Sequence, residues 1–135
     1  MTGFLQKVAD VLEVDSVGID DDFRAVPDWC SLKGFGLLVT LENDYGAKVG
    51  VDDFLRLRTV RDLYRVAFAA FAAELLGLDR GSVGDDLAMG SVPAWDSVAH
   101  LRLVMESERR FGCSYPLEVI PSIRTVRDFA DLARW

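Results

Sequence analysis

The pentapeptide RTVRD occurs twice, at Arg58–Asp62 and at Arg124–Asp128, 66 positions apart. A chain that contains itself must place two similar units, and this limits its fold more than any other feature. At the same offset Trp29 matches Trp95, Ser31 matches Ser97, and Tyr45-Gly46 matches Phe111-Gly112. Further upstream LEVD (Leu12–Asp15) matches LGLD (Leu76–Asp79) at an offset of 64, and Asp21-Asp22 matches Asp85-Asp86 at the same offset. A two-residue insertion between Leu87 and Pro93 reconciles the two offsets. One pentapeptide can recur by chance, but landmarks in one order with a single small insertion mark a duplication.

The units are residues 1–67 and 68–135, and each reads as helix, long loop, helix, short connection, helix. Phe4, Leu5, Val8, Val11 and Leu12 recur with helical period. A loop with Gly18, Asp20 to Asp22 and Pro27 follows. Leu32, Phe35, Leu38, Val39 and Leu41 are expected on one side of a second helix that ends near Gly46. Val98, Leu101, Val104, Met105 and Phe111 repeat that pattern. The last helices begin at Thr59 and Thr125, each an N-cap with an aspartate three residues on. No segment alternates at period two, so the expected fold is all-α. From Thr59 to Leu76 there is neither Gly nor Pro, and alanine is frequent. One helix therefore runs from the first unit into the second, with Ala69 or Ala70 as its weakest point. Phe68 and Phe71 pack the two units together or fill their own cores.

Composition narrows the function. Half of the residues are hydrophobic, enough for a packed core. The net charge is −7 with no basic stripe, which argues against nucleic acid. The longest apolar run, VAFAAFAAELLGL, is interrupted by Glu74 and is too short to span a membrane. The N-terminus has no basic start followed by an apolar core, and Cys30 and Cys113 lack metal-like spacing, so a cytoplasmic protein with reduced thiols is expected.

Ser97 follows Asp96 at the start of a helix and admits three roles. As a nucleophile it needs a base, and His100, three residues on, is the one histidine. Gly34 occupies the equivalent place in the first unit, and no G-x-S-x-G elbow exists. As an N-cap, alone or with Asp96, it would only satisfy backbone amides. As an attachment point it would hold a phosphodiester beside unpaired amides at the positive end of the helix dipole. Trp29 and Trp95 mark a docking feature or pack over a bundle end. Gly34 and Gly36 each cost the helix about 1 kcal/mol relative to alanine and permit a close approach.

WDSVAHLRLVMESERRFG, Trp95 to Gly112, resembles the acyl carrier protein family, with its D-S-L/V, amphipathic helix and F-G. LLGLDRGSVGDDL upstream and IRTVRDFADL downstream are similar to that family's first-helix end and final-helix start. The first unit shows the same order in VADVLEVDSVGIDDDF, WCSLKGFGLLVTLENDYG and LRTVRDLYRVA. The resemblance covers nearly the whole chain and implies two consecutive four-helix bundles joined by a continuous or near-continuous helix. It implies a carrier that performs no chemistry itself. A phosphopantetheinyl transferase would attach 4′-phosphopantetheine, taken from coenzyme A, to Ser97. The arm would carry acyl or amino-acyl groups as thioesters, loaded by a ligase and processed by a synthase, transferase or reductase. Ser31 is a second attachment point by position, but Cys30 stands where the family has an acidic residue, which leaves its modification open. An unmodified first unit serving docking or stability, or a scaffold without any arm, is the rival reading. The second helix is the family's docking surface, which implicates Trp95, Asp96, Val98, His100, Leu101 and Arg102, with Trp29, Leu32 and Lys33 in the first unit. The mixed charge of these helices points to dedicated partners in a specialised-metabolite or lipid pathway, such as polyketide or fatty acid biosynthesis. Asp15-Ser16-Val17 lies after the first helix and is not equivalent to Asp96-Ser97.

Overall fold

A computed structural model describes residues 3–135, leaving aside the side chain of Arg80. The described residues are all-α, with six helices: α1 Phe4–Leu12, α2 Ser31–Tyr45, α3 Val51–Phe54, α4 Val60–Leu76, α5 Ser97–Phe111 and α6 Val126–Leu132. Short 3-10 turns lie at Arg80–Ser82 and Ile120–Ser122. Part of the sequence repeat is visible in the helices. α2 and α5 have 15 residues each, start 66 positions apart, and end on Gly46 and Gly112 in the left-handed region, at φ 71° and 74°. The helices that follow RT open with the same reciprocal capping box, Thr59 with Asp62 and Thr125 with Asp128. In both the threonine oxygen accepts the aspartate N–H and the aspartate carboxylate accepts the threonine N–H.

The register of the acidic loops differs from the sequence alignment. Arg61 donates its backbone N–H to Ile19, and Arg127 donates its own to Asp85. Val60 and Val126 donate likewise to Asp21 and Leu87. The loops are therefore already offset by 66 at this point, and Asp20, not Asp22, is equivalent to Asp86. The ion pairs agree: Arg61 holds Asp20 at 2.9 Å, and Arg127 holds Asp86 at 3.4 Å. The two extra residues sit upstream, where the second half has its turn at Arg80–Ser82. Offset 64 matches two aspartates and offset 66 only Asp20 with Asp86, so residue identity favours the other register and the backbone pairing places the insertion.

α4 runs unbroken through the boundary at residues 67 and 68, with no interruption at Ala69 or Ala70. Its buried residues belong to one hydrophobic cluster that spans both halves. Phe68 stacks on Phe129 at 4.5 Å and Phe71 meets Phe111 edge-on at 5.7 Å, so both fill the second half. Other aromatic rings join the halves. Phe111 receives Phe4 at 5.9 Å, Tyr45 at 4.9 Å and Tyr64 at 4.9 Å, all from the first half. Tyr45 and Phe111 are equivalent residues that stack face to face, and the equivalent pair beside them is joined by Arg110 donating to the Asp44 carbonyl at 2.7 Å. α2 and α5 thus meet at their C-terminal ends. A buried link, Tyr64 hydroxyl to Tyr115 hydroxyl at 2.7 Å and Tyr115 to the Phe129 carbonyl at 2.8 Å, ties α4 to the chain after α5.

The inward stripe of α2 is Gly34, Leu37, Leu41 and Tyr45, and that of α5 is His100, Leu103, Val104, Ser107 and Phe111. Leu32, Phe35 and Val39, and their equivalents Val98, Leu101 and Met105, face out instead of lining the core. Both stripes repeat every three or four residues, so periodicity alone does not choose between them. Gly36 lets α1 approach α2, since a Cβ there would lie 3.0 Å from Val11.

Candidate functional site at the starts of α2 and α5

Ser97 is the first residue of α5 and is exposed. It is not the cap. Asp96 is, with its Oδ1 accepting the Ala99 N–H at 2.9 Å. The serine hydroxyl is left outside that cap, beside the first amides of the helix, where an anionic group is favoured. Ser31 is likewise exposed at the first position of α2, but its cap residue Cys30 makes no side-chain hydrogen bond to the helix. Lys33, two residues on, is half-buried with its ammonium 3.5 Å from the Pro27 carbonyl.

The pairing of Ser97 with His100 is not formed. His100 is buried, and its Nδ1 accepts the indole N–H of Trp95 at 3.1 Å. That acceptor role puts the ring proton on Nε2, which is directed to the Ile123 carbonyl. Burial holds the imidazole below its ordinary value of 6.5, and the Ile123 carbonyl opposes that shift. Two of the residues assigned to docking are therefore interior. Trp95 is wholly buried against His100 and Phe129, and His100 lies beneath it, because an indole and an imidazole satisfy each other's nitrogen inside the core. Trp29, by contrast, is half-buried and meets Phe23 edge-on at 5.8 Å.

The remaining docking candidates lie on the surface. Val98 and Leu101 are 68% and 54% exposed, Leu32 is 77% exposed, and Asp96 and Arg102 are exposed as well. The sequence reading missed how far this face extends. Phe35, Val39 and Val51 continue it in the first half, and Leu101, Met105 and Leu117 stand at the equivalent places in the second. A repeated apolar residue at a position that need not be buried was the available signal.

Beside Ser31, between α2 and α3, lies a cavity of about 480 Å3 whose lining includes Trp29, Gly34, Phe35, Leu38 and Phe54. Arg24 closes one edge, its guanidinium donating to the Phe54 carbonyl at 2.9 Å and lying over the Phe23 ring. A second hollow of about 330 Å3 lies along α4, with Lys48, Asp62, Arg65 and Asp85 in its wall. Among the described residues there is no cluster of metal-ligating side chains, and no helix long and apolar enough to cross a membrane.

The thiols differ. Cys30 is exposed, while Cys113 is buried against the Tyr64 hydroxyl and its thiol is pushed up to about 11 by desolvation. Comparison of the chain with protein-family models, curated proteins and solved structures returns no match.

Proposed function

We propose that the chain is a tandem carrier protein, two small helical bundles over residues 1–67 and 68–135 that share α4, with Ser97 as the attachment point for 4′-phosphopantetheine and Ser31 as a second. One observation carries this reading. The same surface occurs twice: an exposed serine heads a 15-residue helix, and exposed apolar residues follow it at identical positions, Leu32, Phe35, Val39 and Val51 in one copy and Val98, Leu101, Met105 and Leu117 in the other. Solvated apolar stripes kept in register with a serine suit a surface that enzymes visit.

The transfer would form a bond from the Ser97 oxygen to the pantetheine-bearing phosphorus of coenzyme A and break the pyrophosphate linkage. Adenosine 3′,5′-bisphosphate leaves, and the hydroxyl proton passes to a base of the transferase, which uses a divalent metal. The chain's own contribution is positional. Asp96 fixes the helix start, the first amides of α5 favour the phosphodiester, and Ser97 is exposed. Once bound, the group supplies a thiol that holds an acyl or amino-acyl cargo as a thioester. Loading ligases and processing synthases, transferases or reductases in the cytoplasm, in a specialised-metabolite or lipid pathway, would read the exposed stripes.

A scaffold role for the first half is the second reading, favoured by Cys30 in place of an aspartate and by the absence of a side-chain cap on α2. A fluorescent coenzyme A conjugate with a broad-specificity transferase tests both. Labelling that disappears in Ser97→Ala supports the carrier. Residual labelling in that variant, abolished by adding Ser31→Ala, assigns an arm to each half. No labelling of the folded protein leaves only the scaffold.

A further inference from the structure

α4 presents one helical stripe to the hollow that lies along it. Asp62, Arg65, Val66, Ala69 and Ala70, spaced at i, i+3, i+4, i+7 and i+8, all line that space. The stripe is graded, charged towards the start of α4 and apolar towards its middle. Leu57 from the first half and Val83 from the second extend the apolar wall. The alanines keep the space open, and its volume of about 330 Å3 lies at the low end of small-molecule pockets, roughly 300–1,000 Å3. Neither Ser31 nor Ser97 is part of its lining.

The charged groups of this wall are unequally answered. Asp62 closes the capping box, its Oδ2 accepting the N–H groups of Arg58 and Thr59 at 2.9 and 3.1 Å. Asp85 faces the Arg127 guanidinium at 3.9 Å. The cations have less. Arg65 stands 3.6 Å from Asp62 and 3.8 Å from Asp131, both too long for a hydrogen bond. Its Nε–H is buried with no acceptor among the described residues, which is unusual for a buried donor. Lys48 is exposed and forms no ion pair among the described residues. What the wall leaves unanswered is therefore two cationic donors beside an apolar floor.

We propose that this hollow binds a free short-chain monocarboxylic acid as its carboxylate. The carboxylate oxygens accept from Arg65 and Lys48, a charge-assisted contact that neither cation has within the chain. An aliphatic tail of a few carbons lies along Val66, Ala69 and Ala70. Arg65 and Ala70 are five residues apart, about 7.5 Å along the helix axis, which limits the length of that tail. Inorganic phosphate has no tail for the floor and sets more charge against Asp62 and Asp85, and an alkylamine sets a cation against two others. The wall is drawn from the chain after α2, from α4 and from the chain before α5, so a bound acid bridges the two halves. The site is separate from both serines, and the inference does not rest on the carrier reading.

The probe is pentanoate, titrated into unmodified, methyl-labelled full-length protein and followed by NMR. Saturable shifts are expected at Val66, Ala69 and Val83, with Leu32 and Leu101 unmoved. Lys48→Ala should weaken pentanoate several-fold and Arg65→Gln more strongly. Ala69→Leu, which fills the floor, should abolish binding. Lys48 is exposed, so its variant keeps the test decisive should Arg65→Gln or Ala69→Leu fail to fold. Pentylamine and inorganic phosphate at the same concentrations should leave these signals in place. No saturable shift with pentanoate, an equal response to phosphate or to pentylamine, equal shifts at Leu32 and Leu101, or unchanged affinity in Lys48→Ala overturns the proposal. None of these results bears on attachment at Ser97.

Discussion

At their C-terminal ends α2 and α5 are nearly interchangeable, and at their N-terminal ends they are not. Tyr45 and Phe111 stack on each other, each followed by a left-handed glycine, and both belong to the shared core. At the serine ends Cys30 corresponds to Asp96 in the alignment, a half-buried Trp29 to a buried Trp95, and Gly34 to His100. A position in the seam is constrained by both copies at once, because a change there disturbs rings from each half. A position at the serine end touches only its own copy and can diverge. The two copies are thus alike in the seam and differ at the serine ends.

The largest expected effect comes from the seam. Phe111→Ala removes a ring that packs on both halves and should cost about 3–5 kcal/mol, and chemical denaturation should show both halves lost in one transition. Two separated transitions would mean that the halves fold independently. Next is the acid response of the second half. His100 binds its proton less tightly in the fold than in the unfolded chain. Its contribution is therefore complete above about pH 6.5 and is lost as pH falls from there towards the depressed folded value. One proton gives a slope of at most about 1.4 kcal/mol per pH unit, and His100→Gln should flatten the stability profile in that window relative to the parent protein. Caps come third. Asp96→Ala should cost about 1 kcal/mol, whereas Cys30→Asp, which supplies the cap that α2 lacks, should gain a comparable or smaller amount, both read by urea denaturation. The last effect is one of rate. Cys30 should react quickly with iodoacetamide in the native protein, while Cys113, buried with a raised thiol, should wait for unfolding.

Much of this was legible in the chain. The repeat, the limits of α2 and α5, the Thr59 and Thr125 caps and the serine at each helix start follow from residues whose local chemistry dictates one arrangement: a threonine with an aspartate three on, or a glycine after a tyrosine or phenylalanine. Three things were not legible. The acidic loops align on sequence by matching Asp21-Asp22 to Asp85-Asp86, whereas the backbone pairs set Asp20 against Asp86 and Ile19 against Asp85, a register with fewer matching aspartates. The burial phase of α2 and α5 was ambiguous, because both carry two apolar stripes of equal period. His100 looked like a surface residue or a base, and only the packing of Trp95 beneath α5 turns it inward. The cavity beside Ser31 depends on the fold of the loop and α3 around a glycine, which no spacing encodes.

The central claim is that the hydroxyl at the head of α5 accepts a phosphopantetheine arm. Incubating the purified protein with coenzyme A, magnesium and a broad-specificity transferase, and reading its intact mass, tests this most directly. The account predicts a mass increase of at least one phosphopantetheine that maps to Ser97. A mass unchanged while a known carrier in the same tube is fully converted would contradict it.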